Sequence, residues 1–275
     1  MCIAFWLLEA HAEYRLLLAL NRDEYHSRPT LPAHRWSDHP QIIGGRDGEA
    51  GGTWLAISES GRLAFVTNFR EPGKDTPGAV SRGELPTLFL KSSKSPTAYL
   101  EEVAARADKY NGFNLIVADM NTKEMAYLSN RPRGEPVEVK QVSPGLHSLS
   151  NANLDTPWPK VLRGKEKIEV LLSQYPDQVI PENCLIDELL TDSTRAEISR
   201  LPKTGLSEAH EHAFSPIFVY WDNPPYGTRS MTVIAVHKTG QTTFYEKYLE
   251  DGIWKDHKLS FSLSSVVEGD DLKSS

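Results

Sequence analysis

The chain is poor in cysteine: its 275 residues hold two, Cys2 and Cys184. Two thiols make no disulfide framework, so the fold must rest on its core, and a reducing compartment suits it. Positive charge is also short. Thirty Lys and Arg stand against 37 Asp and Glu, a formal net charge of -7, and a nucleic-acid partner, which calls for a basic face, is not expected. Long apolar runs are missing as well. The first, Ala4 to Leu8, is followed by Glu9 and Glu13 and preceded by no basic segment, so no signal peptide, membrane span or Arg-rich transit peptide is expected. No asparagine opens a glycosylation sequon. These absences place the chain in the cytoplasm by default.

Several chemistries lack their motifs. There is no Gly-x-Ser-x-Gly elbow, no phosphate loop ending in Gly-Lys-Ser/Thr and no Cys-x-x-Cys pair for zinc or attached haem. Gly44-Gly45-Arg46-Asp47-Gly48 with Gly51-Gly52 has the wrong spacing for a dinucleotide fingerprint and reads as a flexible loop ahead of a strand. His210-Glu211-His212 would put two imidazoles on one strand face, but without a third ligand it reads as a solvated loop, and no metal site is assigned.

What is present fits one sizeable domain, residues 1–263. The 39% apolar content supports a large core and no linker-like break divides the chain. The polar, acidic stretch 264–275 is expected to be disordered. Ile3 to Leu8 and Tyr14 to Leu20 read as a hairpin of two largely buried strands, and Thr53 to Ser58 with Arg62 to Asn68 as a second. Gly112 to Asp119 pairs with Lys123 to Ser129, and Ile217 to Tyr220, Met231 to His237 and Thr242 to Tyr248 are further strands. Tyr99, Leu100, Val103, Ala104, Ala107 and Tyr110 mark one helical face. Val161, Leu162, Ile168, Leu171, Leu172 and Tyr175 mark another, with Ser95-Pro96 and Thr156-Pro157 as start signals. Strands and helices come in blocks, which predicts an α+β fold.

Met1-Cys2-Ile3 carries the chemistry. A small second residue permits removal of Met1, which leaves a thiol and a free amine on Cys2. The amine titrates at roughly 7.7 to 8.0 and the thiol near about 8.5, so one residue can be both nucleophile and base. Taken alone, Cys2 reads first as a small apolar residue of the first strand. Asn21-Arg22-Asp23-Glu24 alters that reading, because the first hairpin would carry these residues to Cys2. An arginine and a carboxylate there would stabilise the thiolate and orient the amine. Arg22, Arg28, Arg35 and Arg46 lie close in sequence and could frame an anionic substrate, though surface solvation is the commoner fate of such arginines.

Asn21-Arg22-Asp23-Glu24 with Ser27-Arg28-Pro29 resembles the family named for that tetrapeptide, the transport and Golgi organization protein 2 family. Met1-Cys2-Ile3, Gly51 to Leu55, Val66-Thr67-Asn68, Arg82 to Leu85, Tyr110 to Leu115, Leu149 to Ala152 with Thr156-Pro157-Trp158, and Tyr226 to Arg229 resemble its blocks in order, from residue 1 to about 263. The resemblance implies an N-terminal nucleophile hydrolase fold, a four-layer αββα sandwich. Carried over from hydrolases of similar fold, Cys2 is the nucleophile and its amine the base, Asp23 holds the amine, and Arg22 sits by the thiolate. Asn68 and Asn151 donate to an oxyanion, and Arg229 completes the charge network. Asn21, Glu24, Arg28 and Trp54 would border the substrate, although Trp54 and Trp158 read first as core. Asn68 and Asn151 also occupy ordinary turn positions.

One feature departs from those hydrolases: Arg22 and Asp23 are adjacent, and on a regular strand they point to opposite faces. Either the strand ends or bulges there, or only one of the two reaches Cys2. The resemblance also brings intracellular haem trafficking, Golgi organisation and association with cytosol, mitochondria or Golgi. Haem would be a carried ligand rather than a required cofactor. The alternative is a Cys2-dependent amidase, thioesterase or acyl transferase acting on a small acyl or lipid-related substrate.

Overall fold

A computed structural model describes residues 2–73 and 75–264; the proposed tail lies outside these residues apart from Ser264, whose N–H donates to Glu59 O at 2.7 Å. Among the described residues fourteen strands form two antiparallel sheets. In chain order the strands are β1 (Cys2–Leu8), β2 (Tyr14–Tyr25), β3 (Thr30–Arg35), β4 (Ile42–Asp47), β5 (Leu55–Ser58), β6 (Arg62–Asn68), β7 (Phe113–Asp119), β8 (Glu124–Ser129), β9 (Lys140–Gln141), β10 (Gly145–Leu149), β11 (Tyr220–Trp221), β12 (Tyr226–His237), β13 (Gln241–Glu250) and β14 (Ile253–Ser262). The first sheet runs β10-β1-β2-β12-β13-β14, with β11 on β12; the second runs β3 to β9 in sequence order.

Three apolar cores show the layering. Alternate residues of β1 face opposite ways: Ala4, Trp6 and Leu8 pack with Leu55, Ile57, Phe65 and Ile116 between the sheets. Ile3, Phe5 and Leu7 pack on the other face against Val161, Ile168 and Leu171 of helix α3 (Pro159–Gln174), which follows α1 (Glu84–Lys91) and α2 (Pro96–Ala104) in the chain. The third core joins β6 and β7 to Leu85, Phe89, Tyr99 and Leu100 of α1 and α2. Both faces of the central strands are covered, which is why β1 is one unbroken apolar run. The layers are therefore helix, sheet, sheet, helix. Among the described residues no helix is long and apolar enough to cross a membrane.

Several local expectations change. Only the first part of the glycine-rich stretch is strand: Gly44 and Gly45 lie in β4, where a Cβ on Gly45 would come within 2.2 Å of the Trp54 ring, while Gly48, Gly51 and Gly52 lie in the turn and loop that follow it. A Cβ on Gly164 of α3 would lie 2.1 Å from the Phe5 ring, so glycine lets that helix settle onto β1. Helix α3 starts two residues later than expected, with Trp158 as its cap residue and Pro159 in the first turn. Ser95 does cap α2, accepting from Ala98 N–H at 3.3 Å. Of Ile217 to Tyr220 only Tyr220 enters a strand. The short helix α4 (Glu182–Cys184) runs into a π-turn at Leu185–Leu190. His210-Glu211-His212 belongs to α5 (Glu208–Ala213), with Glu211 buried.

Candidate active site

Cys2 sits at the start of β1, directly opposite Arg22 of β2. Opposed residues of an antiparallel pair present their side chains on one face, and both border a cavity of about 280 Å³. Glu24, Arg28, Trp54, Asn68 and Arg82 also line it. The Arg22 guanidinium lies 4.3 Å from the Trp54 ring centroid, and its Nη1 donates to Thr30 Oγ1 at 3.2 Å. Trp54 is thus a packing residue and a wall of the site together.

Strand β2 continues through the tetrapeptide to Tyr25. The irregularity falls on its neighbour: Thr228 opposes Asp23 and Ser230 opposes Arg22, so Arg229 is the extra residue of a β-bulge. Asp23 also borders the cavity. Its Oδ1 accepts from Thr228 Oγ1 at 2.8 Å, and Tyr226 donates its hydroxyl to the Asp23 carbonyl at 3.3 Å.

Burial dominates the electrostatics. It pushes the Cys2 thiol up; the positive chain terminus, Arg22 and the Asp23 N–H pull the other way, while the Asp23 charge adds to the rise. Burial also raises the Asp23 carboxyl, against the chain terminus, Lys160 and the Thr228 hydrogen bond.

Other proposed site residues lie elsewhere. Asn21 is fully buried beneath the sheet, its Nδ2 donating to Leu190 O at 2.8 Å and Ile217 O at 3.0 Å; it does not line the cavity. Asn151 is also buried, and its Nδ2 donates to Asn68 O at 2.8 Å while its Oδ1 accepts from Ser150 Oγ at 3.2 Å. It holds Asn68, which itself faces the cavity. Arg229 borders a neighbouring cavity instead. Of the four clustered arginines Arg22 and Arg28 reach the site. Arg35 pairs with Glu59 at 2.6 Å, and Arg46 stacks on Trp36 at 4.3 Å.

Two cations were not anticipated. Arg82, from the loop before α1, lines the cavity and donates to Gly112 O at 3.1 Å; burial lowers its pKa, opposed by Asp75, Glu24 and Cys2. Its signal was the block Arg82 to Leu85. Lys160, buried in the first turn of α3, donates to Phe214 O at 3.3 Å. Burial lowers it to about 8, with Asp23 and Cys2 among the charges that oppose the fall. Nothing in the local sequence marks Lys160. Both cysteines are free thiols.

Two stacked antiparallel sheets between flanking helices, with Cys2 at the start of a central strand, make the N-terminal nucleophile hydrolase class of fold. A conjugated bile acid hydrolase from Clostridium perfringens superposes with a TM-score of 0.51, at 10% identity, covering 96% of this chain and 97% of that one. The family model described as "Transport and Golgi organisation 2" matches residues 1–251. The Homo sapiens and Mus musculus homologues of that name are each 36% identical over 283 residues, covering 96% of this chain and 100% of theirs. The Drosophila melanogaster protein is 25% identical over 90% of this chain and 92% of its own. The chain belongs to the transport and Golgi organisation 2 family.

Proposed function

We propose that the protein is a cysteine-dependent acyl hydrolase or acyl transferase that cleaves an amide or thioester bond in a small acyl or lipid-related substrate bearing an anionic group. The observation that carries this reading is Cys2 opposite Arg22 on the wall of a cavity that Arg28 and Arg82 also line.

With Met1 removed, the Cys2 α-amine takes the Sγ proton, and Asp23 holds the resulting ammonium. The thiolate adds to the acyl carbon, and the Asn68 amide supplies an N–H to the oxyanion. The carbon–nitrogen or carbon–sulfur bond then breaks. The leaving group takes the ammonium proton, and the acyl group stays on Sγ as a thioester. Water gives a proton to the amine as its oxygen attacks the thioester, which releases the acid and restores the thiol.

A second reading keeps the same cavity for a carried haem. Cys2 as thiolate ligand, with Arg22, Arg28 and Arg82 as counter-charges for the propionates, favours it. The family's role in transport and Golgi organisation would then follow indirectly, through acyl-lipid or haem handling in the cytoplasm or at mitochondrial and Golgi membranes.

Intact-mass and peptide spectra of natively expressed protein, before and after a thiol-reactive acyl probe, separate the two. Loss of Met1 with labelling confined to Cys2 is expected. Retained Met1 or an inert Cys2 would remove the nucleophile, and a saturable haem titration that Cys2→Ala abolishes would establish the second reading.

A further inference from the structure

A second cavity, of about 330 Å³, lies on the other side of the Arg22–Trp54 stack. Arg22, Arg28 and Trp54 border both cavities, but Cys2 borders only the first. The bulge residue Arg229 projects here. Its Nη1 donates to the carbonyls of Tyr25 and Arg28 and to Thr30 Oγ1, the hydroxyl that also accepts from Arg22. All three acceptors are neutral, and two guanidiniums share one hydroxyl. Arg22 has Glu24 at 3.9 Å and Arg28 pairs with Asp47 and Glu49 at 2.9 Å each, whereas Arg229 has no ion pair among the described residues, and a cation in a partly buried site calls for a counter-charge.

Three residues that border this cavity each hold a buried polar atom that finds no partner: Arg229 Nε, Ser230 Oγ and His26 Nε2. Ser230 is 3% exposed. Buried polar atoms are normally hydrogen-bonded, and three such atoms on residues around one cavity mark a place for an acceptor. Carboxylates on the far wall are largely engaged. Glu246 Oε2 accepts from Ala33 N–H at 2.6 Å and faces His257 at 3.4 Å, Glu250 pairs with Lys255, and Asp251 sits in the β13–β14 turn.

We propose that this second cavity binds a compact oxyanion, a phosphate or carboxylate group, held by Arg229, Ser230 and His26, with Arg22 supplying charge from the shared wall. The site is independent of whether Cys2 is a nucleophile, and its occupant sits behind Arg22 rather than against the thiol.

Calorimetric titration of the full chain with inorganic phosphate, and separately with acetate, at constant ionic strength tests this. Saturable binding is expected. Phosphate tighter than acetate identifies a phosphoryl ligand, and equal affinities identify any compact oxyanion. Arg229→Gln should weaken binding about ten-fold or more, the effect of one charged hydrogen bond. Because Arg229 also holds the 25–30 turn, Ser230→Ala is the second variant: its Oγ has no protein partner, so the fold is kept, and about three-fold weaker binding is expected. Arg82→Gln and alkylation of Cys2 should leave the affinity within about two-fold, since neither group borders the second cavity. Absence of saturable binding would overturn the proposal. So would binding that Arg82→Gln or Cys2 alkylation abolishes while Arg229→Gln and Ser230→Ala spare it, because the anion would then lie beside Cys2.

Discussion

Cys2 and Arg22 are direct cross-strand partners in the β1–β2 pair, and the Arg22 guanidinium is held between the Trp54 ring at 4.3 Å and Thr30 Oγ1 at 3.2 Å. The cation beside the thiol is therefore positioned by packing and by a hydrogen bond, not only by its own strand. Burial raises the thiol, and Arg22 is among the groups that oppose that rise.

Removing the cation should silence the thiol. With Arg22→Ala the pKa of Cys2 rises further, and a rise of one unit cuts the thiolate fraction about ten-fold. Arg22→Lys keeps the charge without the planar stack on Trp54 and should fall between. Iodoacetamide alkylation rates at neutral pH measure this; equal rates in all three proteins would mean that Arg22 does not act on Cys2.

The ring under Arg22 is pinned by the glycine opposite it. In Gly45→Ala the new methyl meets the Trp54 ring at 2.2 Å, so strand or ring must move. A loss of about 1 to 3 kcal/mol in urea unfolding is expected, together with slower alkylation of Cys2. Loss of stability with unchanged alkylation would show that Trp54 does not position Arg22.

Near Lys160 lies a buried ion pair. Arg70 pairs with Glu211, which also accepts from Thr204 N–H at 3.0 Å, and the two side chains are 9% and 3% exposed. Taking the charge from one partner strands the other, so Glu211→Gln should cost about 3 kcal/mol or more. The double change Arg70→Met with Glu211→Leu should recover much of that. A single change that leaves stability intact would contradict the pairing.

One further contact predicts a pH dependence. His147 Nδ1 lies 2.8 Å from Asp155 Oδ2, and the hydrogen bond to Asp155 leads the causes that raise the histidine, against burial. A raised histidine contributes stability that is complete below its unfolded value, roughly pH 6.5, and is lost as pH climbs through the higher folded value. Asp155 is held low: burial works against its charge, but His147 and Lys165 outweigh it. Its contribution is therefore present above roughly pH 4 and lost on acidification. Melting temperature should fall as pH rises above about 6.5 more steeply in the native protein than in His147→Gln. Parallel profiles would remove His147 from the account.

Much of the architecture follows from periodicity. The β1–β2 and β5–β6 hairpins, the β7–β8 pair, the cores of β12 and β13, and the buried faces of α2 and α3 are visible as apolar patterns, because burial on one or two faces imposes them. Strand β14 is not visible, since its polar residues lie largely exposed at the end of the sheet. Nor is β4, whose glycines read as a loop until Trp54 and Ala56 are seen packed against them.

The site divides the same way. The sequence by itself determined Cys2, the tetrapeptide at residues 21–24 and the hairpin that joins them, because strand pairing over a short loop is a local matter. Tertiary structure alone decided the rest. A bulge on β12 moved Arg229 to a second cavity, a loop far along the chain brought Arg82 to the first, and helix α3 set Lys160 among the charges around Asp23. Which buried charges meet depends on how sheets and helices stack, and residue spacing along one chain carries no record of that.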